Sequence, residues 1–448
     1  MRGAGMNFID RFFSISRLGS TIRTEITAGA TTFVTMAYII FVQPAVLSAA
    51  GMDFGAVLVA TCVSSALATL MMGLYARYPL ALAPGMGENF FFAYVVVVAM
   101  GIPWDTALGI VFISGILFLA LSLFNVREII INTIPPSLKA GITVGIGLFV
   151  TFIGLVFAGI IEKSPGGIVK LGSVRELHVI IPILGVLVIA VLSYFRIRGA
   201  ILLGILVCAL IALATGIANY RGIVSGPPSI MPVFAKMDVL KALSLDYVPL
   251  ILVFLFMNVF DTVGTVVGVT RQAGLMDENG AIPRINRILH TDSAATAFGA
   301  LFGTSTVTTY IESATGVYEG GRTGLTAVVT ALLLALAIFI EPLARMIGGG
   351  YAVGGTTFYP IIAPALIIVG SMMVISIRDI AFDDVTEYLP AFLVMIGMPL
   401  TYSIADGLAF GFISYPALKI ATGKIREIKP LVIVLGIVFV LRYAFLKV

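Results

Sequence analysis

The sequence predicts an all-α membrane protein that crosses the bilayer many times, and three observations carry that reading. Of its 448 residues 59% are hydrophobic and only 11% are charged, whereas soluble domains average about 25% charged residues. Apolar runs of about 20 residues, enough to span hydrocarbon as a helix, follow one another from end to end, at a mean hydropathy of +1.10. The runs are continuous, not ten-residue alternations, and lipid admits only helices or closed barrels. One helical membrane domain therefore accounts for the whole length.

The stretch 1–24 carries Arg2, Arg11, Arg17 and Arg23 among polar residues and lacks the apolar region and cleavage site of a signal peptide. Segments one, two and four read as plain helices at 25–49, 54–76 and 104–124, with Trp104 as an interfacial anchor. Segment three, 80–100, is irregular: Pro84, Gly85 and Gly87 discourage helix, and the run Phe90-Phe91-Phe92 starts one. Segment five, 135–161, opens on Pro135-Pro136 and carries Gly141, Gly145 and Gly147. No strand precedes these glycines, so close helix packing explains them better than a dinucleotide fingerprint. Segments six and seven lie at 177–195 and 199–217, and Cys62 and Cys208 sit inside apolar segments as small core residues.

After a polar stretch at 218–247, segment eight covers 248–272 and segments nine and ten cover 286–303 and 304–319. The Thr-rich front of segment ten, Gly303 to Thr309, favours extended backbone, and Glu312 falls where a half-helix begins. His178 and His290 start segments six and nine and read as interfacial. Segments eleven to fourteen occupy 322–346, 357–377, 388–403 and 405–421, and a further apolar run at 430–446 either spans or lies in the interface.

With the N-terminus inside, sixteen basic loop residues, Arg2, Arg77 and Arg127 among them, fall on the cytoplasmic side and seven outside, which favours that orientation. The two halves echo each other: Ala49-Ala50-Gly51-Met52-Asp53 ends segment one and Ala273-Gly274-Leu275-Met276-Asp277 ends segment eight. Proline pairs open segments five and twelve. Such echoes, offset by seven segments, point to an inverted seven-plus-seven repeat with its site at broken helices near the midplane.

Three acids lie in apolar settings: Glu88, Asp261 and Glu312. An ionised carboxylate at the bilayer centre costs ~2.5–3.5 kcal/mol on insertion scales and needs a partner, water or a proton. Reversible protonation during transport suits Asp261 and Glu312. No HExxH, GxSxG or Walker sequence occurs, so an enzyme lacks its nucleophile and base and no cofactor or metal is expected. The formal charge of +4 is too small and dispersed for nucleic-acid binding. An anion carrier would want basic residues in place of these acids, and a channel would want a ring of like groups from several subunits; both stay open beside a carrier of neutral solutes.

The chain resembles the AzgA-like hypoxanthine/guanine/adenine permeases, a branch of the nucleobase–cation symporters. The motifs that carry this are TTFVTMAYIIFVQPAVLSAAGMD (31–53), ALAPGMGENFFFAY (81–94), FDTVGT (260–265), GTSTVTTYIESATGV (303–317) and GGRTGLTAVVT (320–330). The resemblance implies fourteen helices in an inverted repeat, with short antiparallel strands in segments three and ten. It implies a core domain at 25–124 and 248–346, and a gate domain at 125–217 and 357–421. It implies uptake of a purine nucleobase with a proton through a multi-pass protein of the cell membrane, with a second copy as a candidate partner. By motif position the substrate residues are Glu88, Asn89, Phe90, Asp261, Thr265, Thr309, Tyr310, Glu312 and Ser313, with Asp261 and Glu312 coupling the proton. Many members read GMGLNAFF where this chain reads Gly85-Met86-Gly87-Glu88-Asn89-Phe90-Phe91-Phe92, a departure that bears on which purine is preferred. The chemistry agrees: a carboxylate accepts the paired N–H groups of a guanine-type edge, and Phe90 or Tyr310 offers a stacking face.

Overall fold

A computed structural model describes residues 8–123, 134–164, 166, 168–277 and 282–445. Arg2, Arg127, the segment ends at 124 and 446, and part of the N-terminal stretch fall outside the described residues. A short helix α1 (Phe8–Phe13) precedes α2 (Ile22–Met36), whose first turn is capped by Thr21 Oγ1 accepting from Thr24 N. Two residues, Ala37 and Tyr38, separate α2 from α3 (Ile39–Ala49). Gly51 turns the chain at φ 84°. Asp53 then caps α4 (Phe54–Met71), which continues as π-helical turns to Ala76.

Strand β1 (Leu82–Pro84) leads into the half-helix α5 (Met86–Phe90), prolonged by π-helical turns to Ala99, and α6 (Trp104–Leu123) follows. Helix α7 (Pro136–Phe157) opens with proline in its first turn, where a missing N–H costs nothing. A hairpin, β2 (Ile161–Lys163) with β3 (Val169–Leu171), then precedes α8 (Leu177–Tyr194) and α9 (Ala200–Ala214). A short α10 (Val239–Ala242) stands before the long α11 (Val248–Gln272) and α12 (Ile285–Phe302). Next come β4 (Val307–Thr309), the half-helix α13 (Ser313–Tyr318), α14 (Gly324–Leu336) and α15 (Glu341–Gly348). A second hairpin, β5 (Tyr351–Val353) with β6 (Thr356–Phe358), leads to α16 (Ala363–Met373), α17 (Val385–Thr401), α18 (Ile404–Ala421) and α19 (Pro430–Phe445).

Among the described residues seven helices are long and apolar enough to cross a membrane, taking α2 with α3 as one, and the pair α14–α15 makes an eighth if counted as a single bent span. Three expected segments differ. Segment eleven is not one helix: it bends by 81° between Phe339 and Glu341, because Pro342, in the first turn of α15, lacks an N–H and its ring would clash with the carbonyl four residues earlier in a continuous helix. Segment five ends at Phe157, since Gly159 takes φ 68° and Ile161 enters a hairpin. Segment twelve starts as strand β6, and its helix begins only at Ala363, past Pro360.

The helices pack as two groups. One contains α2, α3, α4, α6 and α11 to α15 with β1 and β4; the other contains α7, α8, α9 and α16 to α19. Small residues set the approach distances. A Cβ at Gly141 would stand 2.8 Å from the Cα of Ala391, and one at Gly147 would stand 2.7 Å from the carbonyl oxygen of Gly370. The glycines of α7 therefore serve close packing on α16 and α17. In the second group Lys419 is buried and satisfied by Glu387 at 2.7 Å and Glu427 at 2.6 Å.

Candidate functional site

Two three-residue strands make the centre. β1 and β4 pair antiparallel, Leu82 opposite Thr309, Ala83 opposite Thr308 and Pro84 opposite Val307. Gly85 N donating to Thr306 O and Tyr310 N donating to Ala81 O, both at 2.9 Å, prolong the pairing at its two ends. Extended backbone this deep survives only with its polar groups satisfied inside protein, and the residues of both strands are buried. Antiparallel pairing sends the chains apart, so α5 leaves one end and α13 the other.

Each half-helix begins with an acid. Glu88 stands in the first turn of α5 and Glu312 at the N-cap of α13. The Glu88 side chain folds back toward its own amide, and a Cβ at Gly85 would stand 2.9 Å from Cγ2 of Thr308 and 3.0 Å from the Glu88 carboxyl carbon, so glycine there lets β4 and the carboxylate approach closely. Glu312 Oε1 accepts from the Tyr38 hydroxyl at 2.7 Å. Asp261, in the middle of α11, lies within electrostatic reach of both Glu88 and Glu312, and among the described residues no hydrogen bond reaches it. Tyr310 lies within the same reach of Glu312, Asp261 and Glu88. Three acids and a tyrosine from four elements thus converge beside the paired strands.

The remaining sequence-level candidates hold the scaffold. Tyr310 Oη donates to Pro84 O at 2.5 Å and Asn89 Nδ2 to the same carbonyl at 3.2 Å, while Ser305 Oγ donates to Asn89 Oδ1. Ser313 Oγ accepts from Ala81 N at 2.9 Å. Phe90 is fully buried and stacks on Tyr94 with centroids 5.8 Å apart; beyond it come Phe157 at 6.2 Å and, 4.6 Å further, Tyr359. Thr265, one helical turn beyond Asp261, is buried. The Thr309 hydroxyl is buried without a partner among the described residues. Gly87 turns α5 toward α7, where a Cβ would stand 2.7 Å from Ile146.

Asp292, Tyr38 and Gln43 stand outside the sequence-level candidates. Asp292 Oδ1 accepts from Thr309 N at 2.8 Å and Thr308 Oγ1 at 3.2 Å, and its Oδ2 accepts from Thr262 Oγ1 at 2.5 Å. It ties α11 and β4 to α12. Its signal was an acid inside an expected span, in the polar run Thr291-Asp292-Ser293, the same criterion that marks Asp261. Gln43 Nε2 donates to Thr304 Oγ1 at 2.9 Å and Ser305 Oγ at 3.2 Å. A cavity of about 330 Å³ lies elsewhere, between Ala45, Phe54, Asn219, Arg221, Arg345 and Tyr359. Glu88, Asp261 and Glu312 are not among the residues that line it, and Tyr359, which does line it, packs on Phe157 with ring centroids 4.6 Å apart.

Comparison with known proteins places these features in a family. Residues 23–410 match the Xan_ur_permease model, described as a permease family. A putative permease of Methanocaldococcus jannaschii is 49% identical over 443 residues, covering 99% of both chains. The adenine permease AdeP of Escherichia coli K12 is 45% identical, over 99% of this chain and 97% of its own. The guanine/hypoxanthine permease PbuG of Bacillus subtilis 168 is 44% identical, over 97% of this chain and 99% of its own. Among solved structures, the transmembrane domain of the cyanobacterial bicarbonate transporter BicA superposes with a TM-score of 0.61 at 16% identity, covering 87% of this chain and 97% of that one. That likeness concerns the fold alone.

Proposed function

We propose, from the premise that this chain belongs to the Xan_ur_permease permease family, that it takes up purine nucleobases by proton symport. The observation that carries the reading is the convergence of Glu88, Asp261 and Glu312 around a pair of buried strands. Hypoxanthine, guanine and adenine are flat neutral rings with donors and acceptors on their edges. A carboxylate accepts two adjacent N–H groups of a guanine-type edge. Relatives named for adenine and for guanine and hypoxanthine support this substrate class.

Glu312 binds the purine edge in this proposal, and Asp261, which has no hydrogen-bonding partner among the described residues, carries the proton. In this proposal the first packing group is the core, α7 to α9 with α16 to α18 are the gate, α19 is an added helix beyond the gate, and the core moves against the gate in an elevator-like or rocking exchange of access. Fourteen spans in an inverted repeat fit the matched pairs β1–α5 and β4–α13, and Gly51 and Gly274 both take positive φ where their helices end. The N-terminus is cytoplasmic, in the cell membrane. An anion carrier fits less well, because acids and not bases meet at the strands.

Uptake in a bacterial host lacking its own purine permeases tests this directly. Labelled hypoxanthine, guanine or adenine should accumulate faster as external pH falls, and a protonophore should abolish accumulation. Uptake of sulfate in their place, or purine uptake that follows an imposed Na⁺ gradient with the protonophore present, would overturn the substrate or the coupling respectively.

A further inference from the structure

We infer that Tyr38 is a positioning residue for purine recognition: its hydroxyl holds the Glu312 carboxylate in the geometry that meets the substrate. The inference rests on the function proposed above. Tyr38 is 1% exposed, and its hydroxyl donates to Glu312 Oε1 at 2.7 Å.

The backbone around Tyr38 is arranged to deliver it there. Tyr38 occupies the two-residue break between α2 and α3. No glycine or proline stands at 36–39 to force that break. The break lies instead where α2 and α3 grip both flanks of β4. Before the strand, Gln43 bonds Thr304 and Ser305. After it, Thr35 Oγ1 meets Thr315 Oγ1 at 2.9 Å, and Thr315 Oγ1 donates to Glu312 O at 2.7 Å. Tyr38 lies between Thr35 and Gln43 and is the contact that reaches the carboxylate itself.

The acceptor count explains what this achieves. A carboxylate has about four acceptor sites. Tyr38 and the amide of Glu312 itself engage it, which leaves roughly two sites, the number a paired N–H edge requires. A glutamate with free torsions would have to be ordered on binding, and a fixed one is preorganised. A tyrosine hydroxyl also accepts, so it can stay bonded when Glu312 takes up a proton.

The titratable groups that face Glu312 are Tyr38 from the break, Tyr310 at the end of its own strand, Asp261 from α11 and, through Tyr310 and Asp261, Glu88 from α5. Purine affinity is to be measured by calorimetry on purified full-length protein across pH. Tyr38→Phe keeps the ring and should weaken hypoxanthine and guanine binding about tenfold, the worth of one hydrogen bond. It should also move the pH midpoint of binding to higher pH, because the ionised carboxylate has lost a donor. In a Glu312→Gln background the same change should weaken binding less than about threefold, as coupled residues do. Thr35→Val removes a neighbouring bond between the same two elements and should leave the midpoint in place. Wild-type affinity and midpoint in Tyr38→Phe would overturn the assignment, and so would an equal midpoint shift in Thr35→Val. Should the wild-type protein bind no purine at all, the proposed function fails first and this inference fails with it.

Discussion

Asp292 and Thr309 are joined by a 2.8 Å hydrogen bond from the strand amide to the Oδ1 of the aspartate. The bond fixes β4 to α12 just before Tyr310 and Glu312, so the placement of those two residues depends on an acid outside the proposed substrate site. Asp261, by contrast, receives no hydrogen bond among the described residues. Two aspartates in one bundle are thus spent differently, one on structure and one left available.

Asp292→Ala should therefore destabilise the protein more than Asp292→Asn. The alanine leaves the buried Thr309 N–H and the hydroxyls of Thr262 and Thr308 without this acceptor, a loss of about 1–3 kcal/mol for an unsatisfied group. The amide keeps one acceptor oxygen for the strand. Thermal unfolding of the purified variants measures the order. Equal melting temperatures for wild type and Asp292→Ala would remove Asp292 from this role.

Much of this arrangement was legible in the residues, and the reasons for the rest are physical. Pro84, Gly85 and Gly87 disfavour helix locally, and Val307, Thr308 and Thr309 carry a β-branched preference for extended backbone. Neither fact says that the two stretches pair, because pairing is decided by tertiary contact. The break at Tyr38 carries no glycine or proline to mark it, and the partner of its hydroxyl, Glu312, is 274 residues away in the chain. Tyr38 itself looks in sequence like any aromatic of an apolar run. The bend before Pro342 did carry its mark, and continuous hydrophobicity across 322–346 hid it. Asp292 meets the criterion that marks Asp261, an acid inside an expected span, but its Thr and Ser neighbours weaken that signal by making the acid look solvated.

Glu88 should tune preference among purines. It stands at the start of α5 within reach of Asp261, at a position where the resemblance leads one to expect leucine. Glu88→Leu removes one acid from the site and should change the relative affinities for hypoxanthine, guanine and adenine while transport persists. Competition of each base against labelled hypoxanthine in whole cells reads this. An unchanged order of preference at normal expression would return Glu88 to a supporting role in the half-helix.

The strongest test of mechanism separates Glu312 from Asp261. Glu312 is held by Tyr38 at 2.7 Å, which suits a group that must present fixed acceptors to a ligand. Asp261 has neighbouring acids and no hydrogen bond among the described residues, which suits a group that gains and loses a proton as access alternates. An amide keeps the size of each side chain and exchanges one acceptor for a donor. Glu312→Gln should weaken purine binding by ~1.5–3 kcal/mol, the range for a hydrogen bond to a charged group. Asp261→Asn should leave binding closer to wild type but abolish accumulation against a gradient, with residual exchange that no longer varies with pH. Calorimetry on purified protein gives the first quantity, and proteoliposomes with an imposed pH gradient give the second. If Asp261→Asn still concentrates purine in response to that gradient, the proton travels by another group, and Glu88 is the next acid to replace.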